Sequence, residues 1–323
     1  MPSHHAPSLL EATSSVSLKN GSRNEFVTNI SPDWCSQHSV LGGYLNALIL
    51  TATRKFVDQE FGQGRYPDPI HVFVQFLHMV SPGPVSISCK PLRTSSRQCV
   101  VQAELTGPQS PSDGSQVSAT VCIVTFADLT KESGLTQETK PSVATPIPNR
   151  ETECVRIDGP VVDATPIARK LHLVAPFSPD GLWGHRLGGH RRELWLSFRD
   201  GTKISSLLHL AFFADTVGSV YASFISEQAK LTETQPLQPP ATHQAGFYSQ
   251  YALSTLCLSL EFKKRPDPST EWVLIRSNST QVSEGRYDMN MEILDEAGDL
   301  LALSNHVVYV FNLRSRTKKA SKI

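Results

Sequence analysis

The chain has 323 residues, of which 39% are hydrophobic, enough for one large domain or two fused ones of about 150 residues each. Thirty basic and 30 acidic residues cancel, so the basic excess or stripe of a nucleic-acid-binding surface is missing. No apolar run reaches the ~18 residues that a membrane span needs, and the opening MPSHHAPSLLEATSS lacks the charged and apolar regions of a secretory signal.

In chain order, residues 20–130 read as a first folded unit. EFVTNI is a short strand, and LGGYLNALILTATRKFVDQEF is a helix opened by two glycines. Four strands rich in Val, Ile and Phe follow: IHVFVQFLHMV, VSISCKPLR, SRQCVVQAELT and QVSATVCIVTF. Residues 131–185 read as a linker and connecting segment; DLTKESGLTQETKPSVATPIPNRET at its start is polar and carries prolines.

Residues 186–314 repeat the order of the first unit. RRELWLSFRD alternates Leu194, Leu196 and Phe198 toward one face, as a half-buried strand does. SSLLHLAFFADTVGSV is a helix with apolar residues on nearly every side, the mark of burial all round. Four strands follow again: TLCLSLEFK, EWVLIRSN, GRYDMNMEIL and LLALSNHVVYVF, the last two joined by a DEAGD hairpin turn. Residues 315–323 are a basic tail ending in Ser321-Lys322-Ile323. This ending differs from the peroxisomal Ser-Lys-Leu only in its last residue, and reads either as that address or as a solvated tail. The six cysteines have no CxxC spacing, and those in strand-like runs read as buried free thiols, which fits a reducing, intracellular compartment, peroxisomal or cytosolic.

The halves fall into register. Phe76 and Phe262 are 186 residues apart, Arg97 and Arg286 are 189 apart, and Phe126 and Phe311 are 185 apart. Such steady offsets indicate an internal repeat of strand, helix and four strands. A sheet long enough to wrap one all-round hydrophobic helix is the hot-dog arrangement. Two fused copies predict an α+β double hot-dog.

Asp215 is the residue that burial does not explain. A carboxylate inside an apolar helix is costly unless it is paired or its pKa rises. It reads either as a structural group bonded to backbone or to His209, or as part of a site. Gly42 and Gly43 open the first helix, where unpartnered N–H groups and the positive dipole end suit an oxyanion. His38, just upstream, reads as a helix cap or as a substrate contact. His185 and His190 in HRLGGHRR have no nearby carboxylate or cysteine partner, so neither a metal nor another cofactor is expected.

These elements resemble the acyl-CoA thioesterase II type of the thioesterase-like double hot-dog superfamily, in its fungal branch, whose members often belong to secondary-metabolite pathways. WCSQHSVLGGYLNALILTA resembles its first-helix signature, and ELWLSFRDGTKISSLLHLAFFADTV its second strand and helix. STLCLSLEFKKRP and EGRYDMNMEILDEAGDLLALSNHVVYV resemble the strands that follow. In that family a water is held by an Asp, a Thr and a Gln. The resemblance places the first two on Asp215 and Thr255 and puts His306 at the Gln position, a departure from the pattern. It implies an acyl-CoA or acyl-thioester substrate and hydrolysis by an Asp/Thr/His-held water; a homo-oligomer packed through the sheets is compatible with the fold and is left open by the sequence. Two alternatives stay open: a dehydratase, isomerase or cyclase acting on a polyketide-like intermediate with His306 as base, and a non-catalytic acyl-CoA-binding protein.

Overall fold

A computed structural model describes residues 7–36, 39–110, 113–137, 145–157, 165–177, 186–187, 190–216 and 251–312. His38, His185 and the basic tail with its proposed address therefore lie outside the described residues.

The first repeat runs β2 (Glu25–Ile30), α2 (Gly42–Phe61), β3 (Asp68–Phe76), β4 (Gly83–Thr94), β5 (Cys99–Ser110) and β6 (Asp113–Ala127). It is preceded by α1 (Leu9–Ser14) and β1 (Ser17–Leu18). The second runs β9 (Arg191–Phe198), α3 (Leu207–Phe213), β10 (Tyr251–Phe262), β11 (Val273–Asn278), β13 (Arg286–Leu294) and β14 (Leu300–Asn312), with a two-residue β12 (Val282–Ser283) beside β13. Strand order in the first half is β2-β4-β5-β6-β3 and in the second β9-β11-β13-β14-β10. The two orders correspond strand for strand. Antiparallel pairing of β3 with β10, Val74 opposite Leu258, joins the halves into one 14-stranded sheet.

The sheet wraps two helices, and only the last two turns of α2 offer a polar face, with Lys55, Gln59 and Glu60 exposed. Along α2 the residues from Gly43 to Thr53 are all buried, and Thr51 and Thr53 satisfy their hydroxyls on the Ala47 and Ile49 carbonyls of the previous turn. The helices meet closely: a Cβ on Gly43 would lie 2.1 Å from the Phe212 carbonyl oxygen, so only glycine lets the backbones approach. Trp34 anchors the contact, stacked on Tyr44 at 4.5 Å and edge-on to Phe212.

Two details differ from the sequence reading. The ladders equate Phe126 with Val308, because each faces the residue just before a bulge, Pro69 on β3 and Thr255 on β10. Phe126 is accordingly buried, whereas Phe311 is exposed near the strand end. The segment 131–185 also contributes structure. Its strands β7 (Cys154–Arg156) and β8 (Leu171–Pro176) extend the sheet beyond β9. Trp195 Nε1 donates to the Pro148 carbonyl, and Arg186 and Arg276 both bond the buried Glu193 and the Pro146 carbonyl. The connection is clipped down.

Candidate active site

Asp215 sits in the turn that ends α3, two residues past the last helical one. Its carboxylate lies against the start of α2: a Cβ on Gly42 would fall 2.0 Å from Asp215 Oδ2 and 3.0 Å from Phe76 Cζ. Gly42 therefore makes room for the carboxylate. Gly43, one residue on, is used up in packing against Phe212. Both glycines are the first residues of α2, whose N–H groups have no partner within the helix and carry its positive dipole end.

Thr255 reaches the site through a bulge. Leu258, Leu260 and Phe262 point inward, so plain alternation would turn Thr255 outward. The extra residue Leu256 shifts the β10–β14 register between Thr255 and Cys257, and Gln75 Nε2 donates to its carbonyl across the seam. One inserted residue restores the inward face. Thr255 Oγ1 then donates to Asp215 Oδ1 at 2.8 Å.

His306 faces inward from β14, opposite Leu258 on one side and Met289 on the other. Its Nδ1 is 3.8 Å from Asp215 Oδ1, too far for a direct hydrogen bond, and makes none elsewhere among the described residues. Its Nε2 is 2.7 Å from Ser304 Oγ.

The electrostatics follow from the apolar walls. Burial pushes the Asp215 carboxyl up to about 7, against the opposing pull of the Thr255 hydrogen bond. Burial pushes the His306 imidazolium down to about 4, so the ring is neutral at pH 7. His209 is not the partner of Asp215. It is buried beside Phe198, its ring centroids 5.3 Å apart, with both nitrogens unbonded among the described residues and its pKa lowered by burial to about 4.

Asp215, Thr255, His306 and Gly42 thus converge, with Gly43 one step behind. Arg93 and Arg97 sit exposed on the β4–β5 hairpin. Among the described residues no three His, Cys, Asp or Glu side chains gather into a metal-binding group. Two residues escaped the sequence reading. Ser304 looked like an ordinary strand serine, although its spacing of two from His306 put it on the same face. Asn46 is buried in α2 one turn after Gly42, with neither amide atom hydrogen-bonded among the described residues. An Asn within GGYLNALIL was the visible signal.

A sheet-wrapped pair of central helices, with an acid held at the start of one and the end of the other, defines a double hot-dog of the thioesterase class. The chain belongs to the acyl-CoA thioesterase family: the model of the acyl-CoA thioesterase N-terminal domain matches residues 30–129 and that of the C-terminal domain residues 148–310. It is 22% identical to the thioesterase-like protein TwmA of Talaromyces wortmannii, covering 96% of this chain and 94% of that one. Its fold is similar to that of a hot-dog protein of unknown function from Alicyclobacillus acidocaldarius, with a TM-score of 0.68, 17% identity, and 95% and 98% of the two chains covered. It is similar also to acyl-CoA thioesterase II TesB2 of Mycobacterium marinum, with a TM-score of 0.63, 14% identity, and 95% and 100% covered. Among the described residues no helix is long and apolar enough to cross a membrane.

Proposed function

We propose that this protein hydrolyses an acyl-CoA or a related acyl thioester, with a water held by Asp215, Thr255 and His306. The observation that carries the reading is the Asp215 carboxyl, hydrogen-bonded by Thr255 at 2.8 Å in apolar surroundings and poised near neutrality. A general base works best when its pKa lies near the operating pH, and Asp215 meets that condition.

The water oxygen attacks the thioester carbonyl while the Asp215 carboxylate takes its proton. The tetrahedral oxyanion is stabilised by the N-terminal N–H groups of α2, and each such donor is worth about 10²–10³ in turnover in studied enzymes. Collapse breaks the C–S bond, and the departing thiolate takes the proton back from Asp215. The products are a carboxylic acid and a free thiol. Membership of the acyl-CoA thioesterase family and the likeness to a fungal thioesterase-like protein support this chemistry.

The test is thiol release from short, long and aromatic acyl-CoAs by the native protein and by Asp215→Asn. Release by the native protein that collapses in the variant supports the reading. Equal rates in both misplace the site. No release from any thioester by a folded protein overturns hydrolysis in favour of lyase or cyclase chemistry, or of binding alone.

A further inference from the structure

Ser304 Oγ lies 2.7 Å from His306 Nε2, and both residues are almost completely buried, at 1% and 3% exposure. The ladder partners of Ser304 are Leu260 and Met291, whose side chains offer no strong hydrogen-bond acceptor. Among the described residues His306 is the sole hydrogen-bond partner of the Ser304 side chain. A serine hydroxyl carries one proton, and a buried O–H without an acceptor bears the full cost of its lost hydration. The Ser304 proton therefore goes to Nε2. That nitrogen must then hold the lone pair, which leaves the ring proton on Nδ1.

A second observation points the same way. His306 Nδ1 lies 3.8 Å from Asp215 Oδ1 and makes no hydrogen bond among the described residues. Once Asp215 is ionised, an N–H on that nitrogen attracts the carboxylate oxygen at that distance, whereas a ring lone pair repels it. The two arguments use different atoms and agree.

We infer that Ser304 is a positioning residue that fixes His306 as the Nδ1–H tautomer, so that His306 meets the reacting centre as a hydrogen-bond donor and not as a base. The catalytic half of this statement rests on the hydrolytic reading above; the tautomer does not. A donor at this place reproduces the N–H that an amide side chain would present there. It also leaves Asp215 as the one acceptor for the water's proton. Ser304 makes the substitution workable.

The experiment is nitrogen-15 NMR of the full chain with labelled histidine, without substrate, the His306 signals being those lost in His306→Gln. The expected native spectrum shows the proton on Nδ1, and Ser304→Ala shifts a substantial share of it to Nε2. Ser304→Thr, which restores a hydroxyl, returns it to Nδ1. In parallel, Ser304→Ala lowers kcat on the best acyl-CoA about tenfold with little change in KM, the effect of one mis-set hydrogen bond, and Ser304→Thr recovers it. A native proton on Nε2, or an Nδ1 proton indifferent to Ser304→Ala, overturns the assignment. An Nδ1 proton in a protein that releases no thiol keeps the tautomer and rejects the hydrolytic reading, so the two failures are distinguishable.

Discussion

In the C-terminal half, Thr255, Ser304 and His306 stand at inward positions of β10 and β14. At the corresponding ladder positions of the N-terminal half, on β3 and β6, stand Pro69, Cys122 and Val124. Even the bulge is shared, with Ile70 unpaired in one half as Leu256 is in the other. Counted from the N-caps Leu41 and Ser206, Asp215 corresponds to Leu50 and Gly42 to Leu207. One geometry thus serves two ends. The C-terminal half fills it with polar groups, Thr255 bonded to Asp215 and Ser304 to His306, and the N-terminal half fills it with side chains that need no partner. The N-terminal half still enters the site, through the start of α2 and the missing side chain of Gly42.

If only one seat is chemical, substitutions at paired positions must differ in kind. The largest effect is expected at Asp215: Asp215→Asn lowers kcat/KM for thiol release by about 10²–10⁴, the range for loss of a general base, while Leu50→Ala costs stability alone. Next comes Gly42→Ala. The added Cβ displaces a side-chain tip and not backbone, so the thermal midpoint moves little, yet a displacement of about 1 Å at a reacting group costs roughly 10² in rate. Its counterpart Leu207→Ala removes buried apolar volume and lowers stability by about 2–5 kcal/mol. Calorimetry beside the thiol assay separates the two. Thr255→Val removes the bond to Asp215 and lowers kcat by about tenfold to a hundredfold. Transplanting the polar pair as Cys122→Ser with Val124→His adds no turnover and destabilises by about 1–3 kcal/mol, because no carboxylate awaits them.

The pH dependence is the subtlest test. Activity rises through about pH 7 as Asp215 ionises, and the rise disappears in Asp215→Asn. Stability runs the other way. The folded pKa of Asp215 is raised, so its contribution is full below about pH 4 and is lost as pH climbs through 7. Asp215→Asn should therefore melt higher than the native protein above pH 7, while the two converge in acid. His306 is depressed to about 4, so its contribution is full above about pH 6.5 and falls away as pH drops through 4. Melting curves of Asp215→Asn and His306→Gln across pH 4–8 should show these opposite slopes.

The repeat was legible because hydrophobic strands and turn residues recur at nearly constant spacing, and Asp215 because a charge within phenylalanines and leucines is conspicuous. Thr255 was not legible from periodicity. Counting by twos from Leu258 turns it outward, and the bulge that corrects the count has no residue signature of its own; resemblance alone singled it out. The match of Phe126 to Phe311 erred because single aromatics drift by a few residues where loops differ in length, while ladder pairing does not. Gly42 was legible as the start of a helix whose free N–H groups suit an oxyanion, but only the fold shows that its missing side chain also makes room for the carboxylate of the other repeat. Ser304 escaped because the polarity of a strand serine becomes meaningful only once its neighbour His306 is known to be buried.

The clipped connection between the repeats bears on how such an asymmetry can arise. In a pair of identical subunits every residue appears twice, so a change that placed proline at one bulge would place it at both and erase the threonine to which the proposed reaction assigns a role. A single chain, in which Trp195 and the strands β7 and β8 clip the connection onto the second repeat while the β3–β10 ladder joins the two repeats, escapes that symmetry. Each seat is free to drift alone, one toward chemistry and the other toward a dry, well-filled interior.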